Sequence, residues 1–133
     1  MNTLVTGWPA HEADVAQILV VDDDPRICDL LEAFLGDEGY ETRRATDGMD
    51  ALSKIGQSMP DLIVTDLMMP RLDGAGLVDR LRQNGYQIPV IVISAVHGNA
   101  RHLAVAGFVP KPFDLNHLAD IVSQTLAAFP PAS

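Results

Sequence analysis

Apolar residues along this chain fall into short continuous blocks separated by stretches of helical period. Residues 18–21, 62–65, 90–93 and 107–109 are apolar throughout or nearly so, while 40–45, Tyr40-Glu41-Thr42-Arg43-Arg44-Ala45, mixes in charge. Continuous runs suit parallel strands covered on both faces, and a charged strand suits a sheet edge. Between the blocks the period changes. After Asp24, a good N-cap, and Pro25 at the first helical position, Ile27, Leu30, Leu31, Phe34 and Leu35 recur at helical spacing, which predicts one buried helix face closed by Gly36 or Gly39. Shorter helices are predicted over 49–57, on Ala51, Leu52 and Ile55, and over 76–83, on Leu77, Val78 and Leu81. A last helix follows Asp114, carries Leu118, Ile121, Val122 and Leu126, and stops before Pro130 and Pro131.

Five strands alternating with helices predict an α/β domain: a doubly wound parallel sheet, helices on both faces, right-handed crossovers. With 133 residues there is one core, and no room for a second catalytic or DNA-binding domain. Residues 1–16 lack a convincing period and read as an N-terminal tail, 17–129 as the domain and 130–133 as a C-terminal tail. Eighteen acidic residues against nine basic ones give a net charge of −9, which disfavours direct binding to nucleic acid or to an anionic membrane surface. No apolar run approaches the roughly 20 residues of a membrane span. The N-terminus has no signal-peptide pattern and Cys28 is the lone cysteine, so a cytoplasmic setting is expected.

In an open parallel sheet, ligands bind beyond the carboxyl ends of the strands. The first predicted strand ends in Asp22, Asp23 and Asp24, the third in Asp66 and the fourth in Ser94, and the fifth is followed by Lys111-Pro112. Like charges about 4 Å apart repel by roughly 1 kcal/mol in water and about 4 kcal/mol at a surface-like dielectric, so carboxylates gathered on one rim call for a cation. Oxygen-only ligands suit Mg²⁺. Lys111, one of two lysines, can reach the same rim and pair with a phosphoryl oxygen. Each residue alone has a plainer reading as a turn or cap, and capping fully explains Asp24. The grouping at the ends of different strands is what points to a site. Cys28 reads as a small packing residue, and His97 and His102 as solvated loop residues.

Taken in order, Ile18-Leu19-Val20-Val21-Asp22-Asp23-Asp24-Pro25, Pro60-Asp61-Leu62-Ile63-Val64-Thr65-Asp66-Leu67-Met68-Met69-Pro70, Asp73-Gly74, Pro89-Val90-Ile91-Val92-Ile93-Ser94-Ala95 and Phe108-Val109-Pro110-Lys111-Pro112-Phe113-Asp114 resemble the receiver domain of bacterial two-component response regulators. The resemblance implies a flavodoxin-like fold with strand order 2-1-3-4-5. It implies that Asp66 accepts a phosphoryl group from the phosphohistidine of a sensor kinase or histidine phosphotransfer protein, and that an effector protein reads the result. Asp22 and Asp23 would arrange Mg²⁺, with Asp23, Asp66 and the Met68 backbone carbonyl as direct ligands. Lys111 and Ser94 would hold the phosphoryl group, and Phe108 would be the aromatic switch. Lys111-Pro112 would be a cis peptide. The spacing from Ser94 to Lys111, 17 positions, is shorter than receivers usually have, so the crossover helix between the fourth and fifth strands is expected to be short or irregular, at most about residues 99–106.

Two other readings stay open on sequence. A pseudo-receiver would bind partners without phosphotransfer. A haloacid-dehalogenase-like phosphatase would start from an Asp-x-Asp pattern, which Asp22 and Asp24 supply, but that family's next residues are absent and Asp66 and Lys111 would lack a role. An EF-hand is excluded, because the Asp-rich segment lacks the central Gly and distant Glu of that loop.

Overall fold

The computed structural model describes residues 15–95 and 105–129. Its elements run β1 (Gln17–Val21), α1 (Pro25–Asp37), β2 (Glu41–Ala45), α2 (Gly48–Gln57), β3 (Leu62–Asp66), α3 (Gly74–Gln83), β4 (Val90–Ser94), β5 (Gly107–Pro110) and α4 (Leu115–Ala128). All five strands pair in parallel, in the order β2-β1-β3-β4-β5. The expected fold and strand order are therefore present, with β2 and β5 at the edges.

Strand side chains alternate between faces, so each continuous apolar run feeds two cores at once. Leu19, Val21, Ile63, Val90 and Val92 face α2 and α3, where Ala51, Ile55, Leu77, Val78 and Leu81 complete one cluster. Ile18, Val20, Leu62, Val64, Ile91 and Ile93 face α1 and α4, where Leu31, Leu35, Leu118 and Val122 complete the other. The charged edge strand β2 is guarded as expected: Arg44 pairs with Asp29 and Glu32 of α1.

Aspartates start every helix among the described residues. The side chains of Asp24, Asp47, Asp73 and Asp114 each accept a backbone N–H from the first turn that follows. Helix α1 ends at Glu38, with Gly39 in the left-handed region at φ 99°. Its buried face differs from the predicted stripe. Cys28, Leu31 and Leu35 are buried, Ile27 and Phe34 half-buried, and Leu30 is 43% exposed. The apolar set is wider than the sheet face it packs on, and Cys28 lies at its covered margin, opposite the exposed Leu30. There it acts as the packing residue expected, its thiol pushed up to about 11 by burial.

The predicted crossover helix at 99–106 lies outside the described residues except for its last two positions. Val105 and Ala106 are not helical, and the Ala106 N–H donates to the Val90 carbonyl at 2.8 Å. His97 and His102 also lie outside the described residues. No helix among the described residues is long and apolar enough to cross a membrane.

Candidate functional site

Strand register builds the site. Val21 pairs with Thr65, so the next residues, Asp22 and Asp66, come level at the carboxyl end of adjacent strands. Asp66 in turn pairs with Ile93, and Ser94 pairs with Pro110. Backbone bonds hold the strand ends together: Leu67 N–H to the Ile93 carbonyl at 3.1 Å, and Lys111 N–H to the Ser94 carbonyl at 2.9 Å. Asp22, Asp66, Ser94 and Lys111, four positions far apart in sequence, thus share one rim.

Carboxylate oxygens of Asp22, Asp23 and Asp66 lie within 4.8 Å of one another. Asp22 and Asp66 are buried, at 4% and 9% exposure, whereas Asp23 is open to solvent. The Lys111 ammonium approaches Asp66 Oδ1 to 3.4 Å, and the Lys111-Pro112 peptide is cis, as the sequence resemblance implied. Asp22 has its pKa pushed up to about 6. Burial is the main cause, the Asp66 and Asp23 charges add to it, and the Asp24 N–H and Lys111 oppose it. A buried carboxylate in that condition marks negative charge that the protein alone does not neutralise. Three oxygen donors of that kind fit a hard cation with room for water.

Asp24 stays out of the cluster. Its carboxylate accepts from the Arg26 N–H at 2.9 Å and from the Arg26 guanidinium at 3.1 and 3.2 Å, which holds its pKa below the usual range. That leaves no second aspartate free for an Asp-x-Asp phosphatase arrangement. Ser94 is buried at the end of β4, beneath the rim. Phe108 on β5 pairs in register with Val92 and packs, half-buried, on the α2/α3 side of the sheet. Met68, two residues past Asp66, is 62% exposed. The rim opens into a cleft of about 820 Å³ whose far wall is apolar, formed by Ile27, Leu30, Phe113 and Leu115.

Two features escaped the reading of the sequence. Leu30 looked like a core residue yet lines the cleft; the excess width of the apolar stripe on α1 was the available signal. Asp47 and Arg71 form a two-bonded ion pair, at 2.7 and 2.9 Å, between the start of α2 and the loop after β3. Nothing in their spacing announces it.

An open α/β domain with a carboxylate cluster and a lysine at the carboxyl rim of a 2-1-3-4-5 sheet is the class that this geometry defines. Sequence and structure comparisons narrow it. The response regulator receiver domain matches residues 18–123. The response regulator GtcR of Aneurinibacillus migulanus is 41% identical over 118 residues, 84% of this chain and 48% of that protein. The response regulator MprA of a Mycobacterium species (strain KMS) is 38% identical over 107 residues, 77% of this chain and 46% of that protein. The receiver domain of NtrX from Brucella abortus superposes with a TM-score of 0.76 at 37% identity, covering 83% of this chain and 98% of that one. The chain belongs to the response regulator receiver domain family. It spans about half the length of the curated relatives it matches.

Proposed function

We propose that this domain is a phosphoryl-accepting switch in which Asp66 is the acceptor. The observation that carries the reading is the placement of Lys111 Nζ 3.4 Å from Asp66 Oδ1, with Asp22 and Asp23 clustered on the same carboxylate. An Asp66 oxygen attacks the phosphorus of a phosphohistidine on a sensor kinase or histidine phosphotransfer protein. The P–N bond breaks, a P–O bond forms, and the donor imidazole departs. A carboxylate does this only where the charge of the incoming group is offset. Lys111 supplies part of that offset and pairs with a phosphoryl oxygen. Asp22, Asp23, Asp66 and the Met68 backbone carbonyl would hold Mg²⁺, which when bound neutralises the remaining negative charge.

Ser94 donates its hydroxyl to the phosphorylated form, and Phe108, on the neighbouring strand, follows it inward. The surface around Ser94, Phe108 and the segment joining β4 to β5 then presents the state to an effector protein. The apolar wall of the cleft, with Leu30 and Phe113, seats the donor protein beside the rim. Chemistry here is confined to the domain's own aspartate; the domain has no separate substrate to turn over. In this reading residues 17–129 form the receiver unit, with tails at 1–16 and 130–133, and the protein works in the cytoplasm without contacting nucleic acid or membrane.

Incubation with acetyl phosphate and Mg²⁺ tests the proposal. Intact mass should rise by one phosphate in the wild type and stay unchanged in Asp66→Asn. Equal labelling of the variant would overturn the assignment, and a wild type that takes up no phosphate would overturn the switch itself.

A further inference from the structure

The loop after Asp66 carries Met68 and turns the chain from the end of β3 into α3. Its ends are tied by backbone: Leu67 N–H donates to the Ile93 carbonyl, and Gly74 N–H to the Leu67 carbonyl at 2.8 Å. Between them Met69 and Leu72 pack, half-buried, on the α2/α3 core while Met68, Pro70 and Arg71 are exposed, and Arg71 adopts φ 65°, a left-handed conformation that is unfavourable for a residue with a side chain. Such a conformation persists where surrounding contacts enforce it.

Here the start of α2 does so. Arg71 Nε and Nη2 donate side by side to Asp47 Oδ2 and Oδ1, at 2.7 and 2.9 Å. Asp47 is no mobile surface carboxylate: its side chain is 9% exposed, and Oδ1 also accepts the Asp50 N–H at 2.8 Å as the N-cap of α2. The next residue grips the same loop. Gly48 N–H donates to the Leu72 carbonyl at 3.0 Å, and a Cβ at Gly48 would lie 2.4 Å from that oxygen, so the two backbones meet without side chains between them.

We infer that Asp47 and Arg71 are positioning residues for the cation site, clamping the 67–73 loop to α2 so that the Met68 backbone carbonyl is held where the Asp22, Asp23 and Asp66 cluster can share a cation with it. The inference rests on the proposed role of that carbonyl. Neither residue touches the site. Both act by limiting the shapes open to the loop, as the partners behind a ligand generally do.

Isothermal titration calorimetry of the full chain with MgCl₂ tests this, alongside thermal melts in EDTA. Arg71→Gly removes the clamp while suiting the positive φ, so the metal-free fold should melt close to wild type and Mg²⁺ affinity should fall about tenfold. Asp47→Asn keeps a capping oxygen but loses the charge, and should weaken Mg²⁺ similarly. The double variant should be no weaker than either single one, because both break the same contact. Arg71→Lys, with one compact donor group in place of the fork, should fall between. Mg²⁺ affinity within about twofold of wild type in Arg71→Gly would overturn the clamp. That variant leaves the Asp47 cap intact, so it decides the matter even if Asp47→Asn does not fold. A wild type whose Mg²⁺ heat is absent, or survives Asp66→Asn, would instead overturn the metal-site reading beneath it.

Discussion

Among the described residues Asp22 is the carboxylate whose charge the metal-free fold tolerates least, and replacing it isolates that cost. Its folded pKa of about 6 lies above the ordinary 3.8 because the side chain is buried beside Asp66. A group that binds its proton more tightly when folded destabilises the fold when ionised. The cost is fully present above pH about 6, falls as pH drops from about 6 towards about 4, and is gone below the unfolded value. The displacement from 3.8 to about 6 corresponds to about 3 kcal/mol as an upper figure.

Asp22→Asn keeps an oxygen for the Asp24 N–H, which Asp22 Oδ1 now accepts at 2.9 Å, and removes the charge. In EDTA at pH 7.5 the variant should gain about 2–3 kcal/mol, which raises Tm by roughly 5–10 °C in a domain of this size. Followed by circular dichroism, the two melting temperatures should converge as pH falls from 7 to about 4.5. Asp24 and Asp47 do not blur this window: arginine partners lower their pKa values, so their stabilising charges are lost only at more acid pH, and equally in both proteins. Added Mg²⁺ should raise the wild-type Tm and narrow the gap from the other side. A variant no more stable than wild type at pH 7.5 in EDTA, or a difference that does not change with pH, would refute the account of Asp22.

Leu31→Ala, at a site 1% exposed, should cost about 2–5 kcal/mol in a denaturant titration, whereas Leu30→Ala should stay within about 0.5 kcal/mol yet slow phosphotransfer from a histidine donor protein. Gly74→Ala would set a Cβ 2.6 Å from the Asp66 carbonyl, a backbone atom with little room to retreat, so unfolding should show a loss of about 1–3 kcal/mol and Mg²⁺ binding should weaken. Met68 is exposed and apolar, and cannot hydrogen-bond a water attacking the phosphorylated Asp66; Met68→Asn should shorten the life of the phosphoprotein, read as mass against time.

The strands were legible because buried parallel strands leave little freedom of composition. Each run such as Ile18-Leu19-Val20-Val21 must be apolar on both faces, and the first polar residue after it marks the rim. That is why the sequence alone places Asp22, Asp66, Ser94 and Lys111 together. Helix α1 was harder, since an apolar residue reads the same whether it faces the sheet or a cleft. Leu31 and Leu30 point about 100° apart around the helix, and in the fold the first is covered and the second is not. The Asp47–Arg71 pair joins residues 24 positions apart in separate loops, with no periodic signal to reveal it.

One register connects the core to the chemistry. Val21 opposite Thr65 buries Val20 and Val64 against α1 and α4, and Leu19 and Ile63 against α2 and α3. The same alignment brings Asp22 level with Asp66. A slip of one residue would send every strand side chain to the other face and separate the two carboxylates by a strand step of about 3.3 Å. The apolar residues that favour the correct alignment therefore also enforce the approach of Asp22 to Asp66, although that approach is unfavourable by itself. It follows that the site's electrostatic cost is borne by the sheet, and that removing it at Asp22 should stabilise the chain without altering the fold.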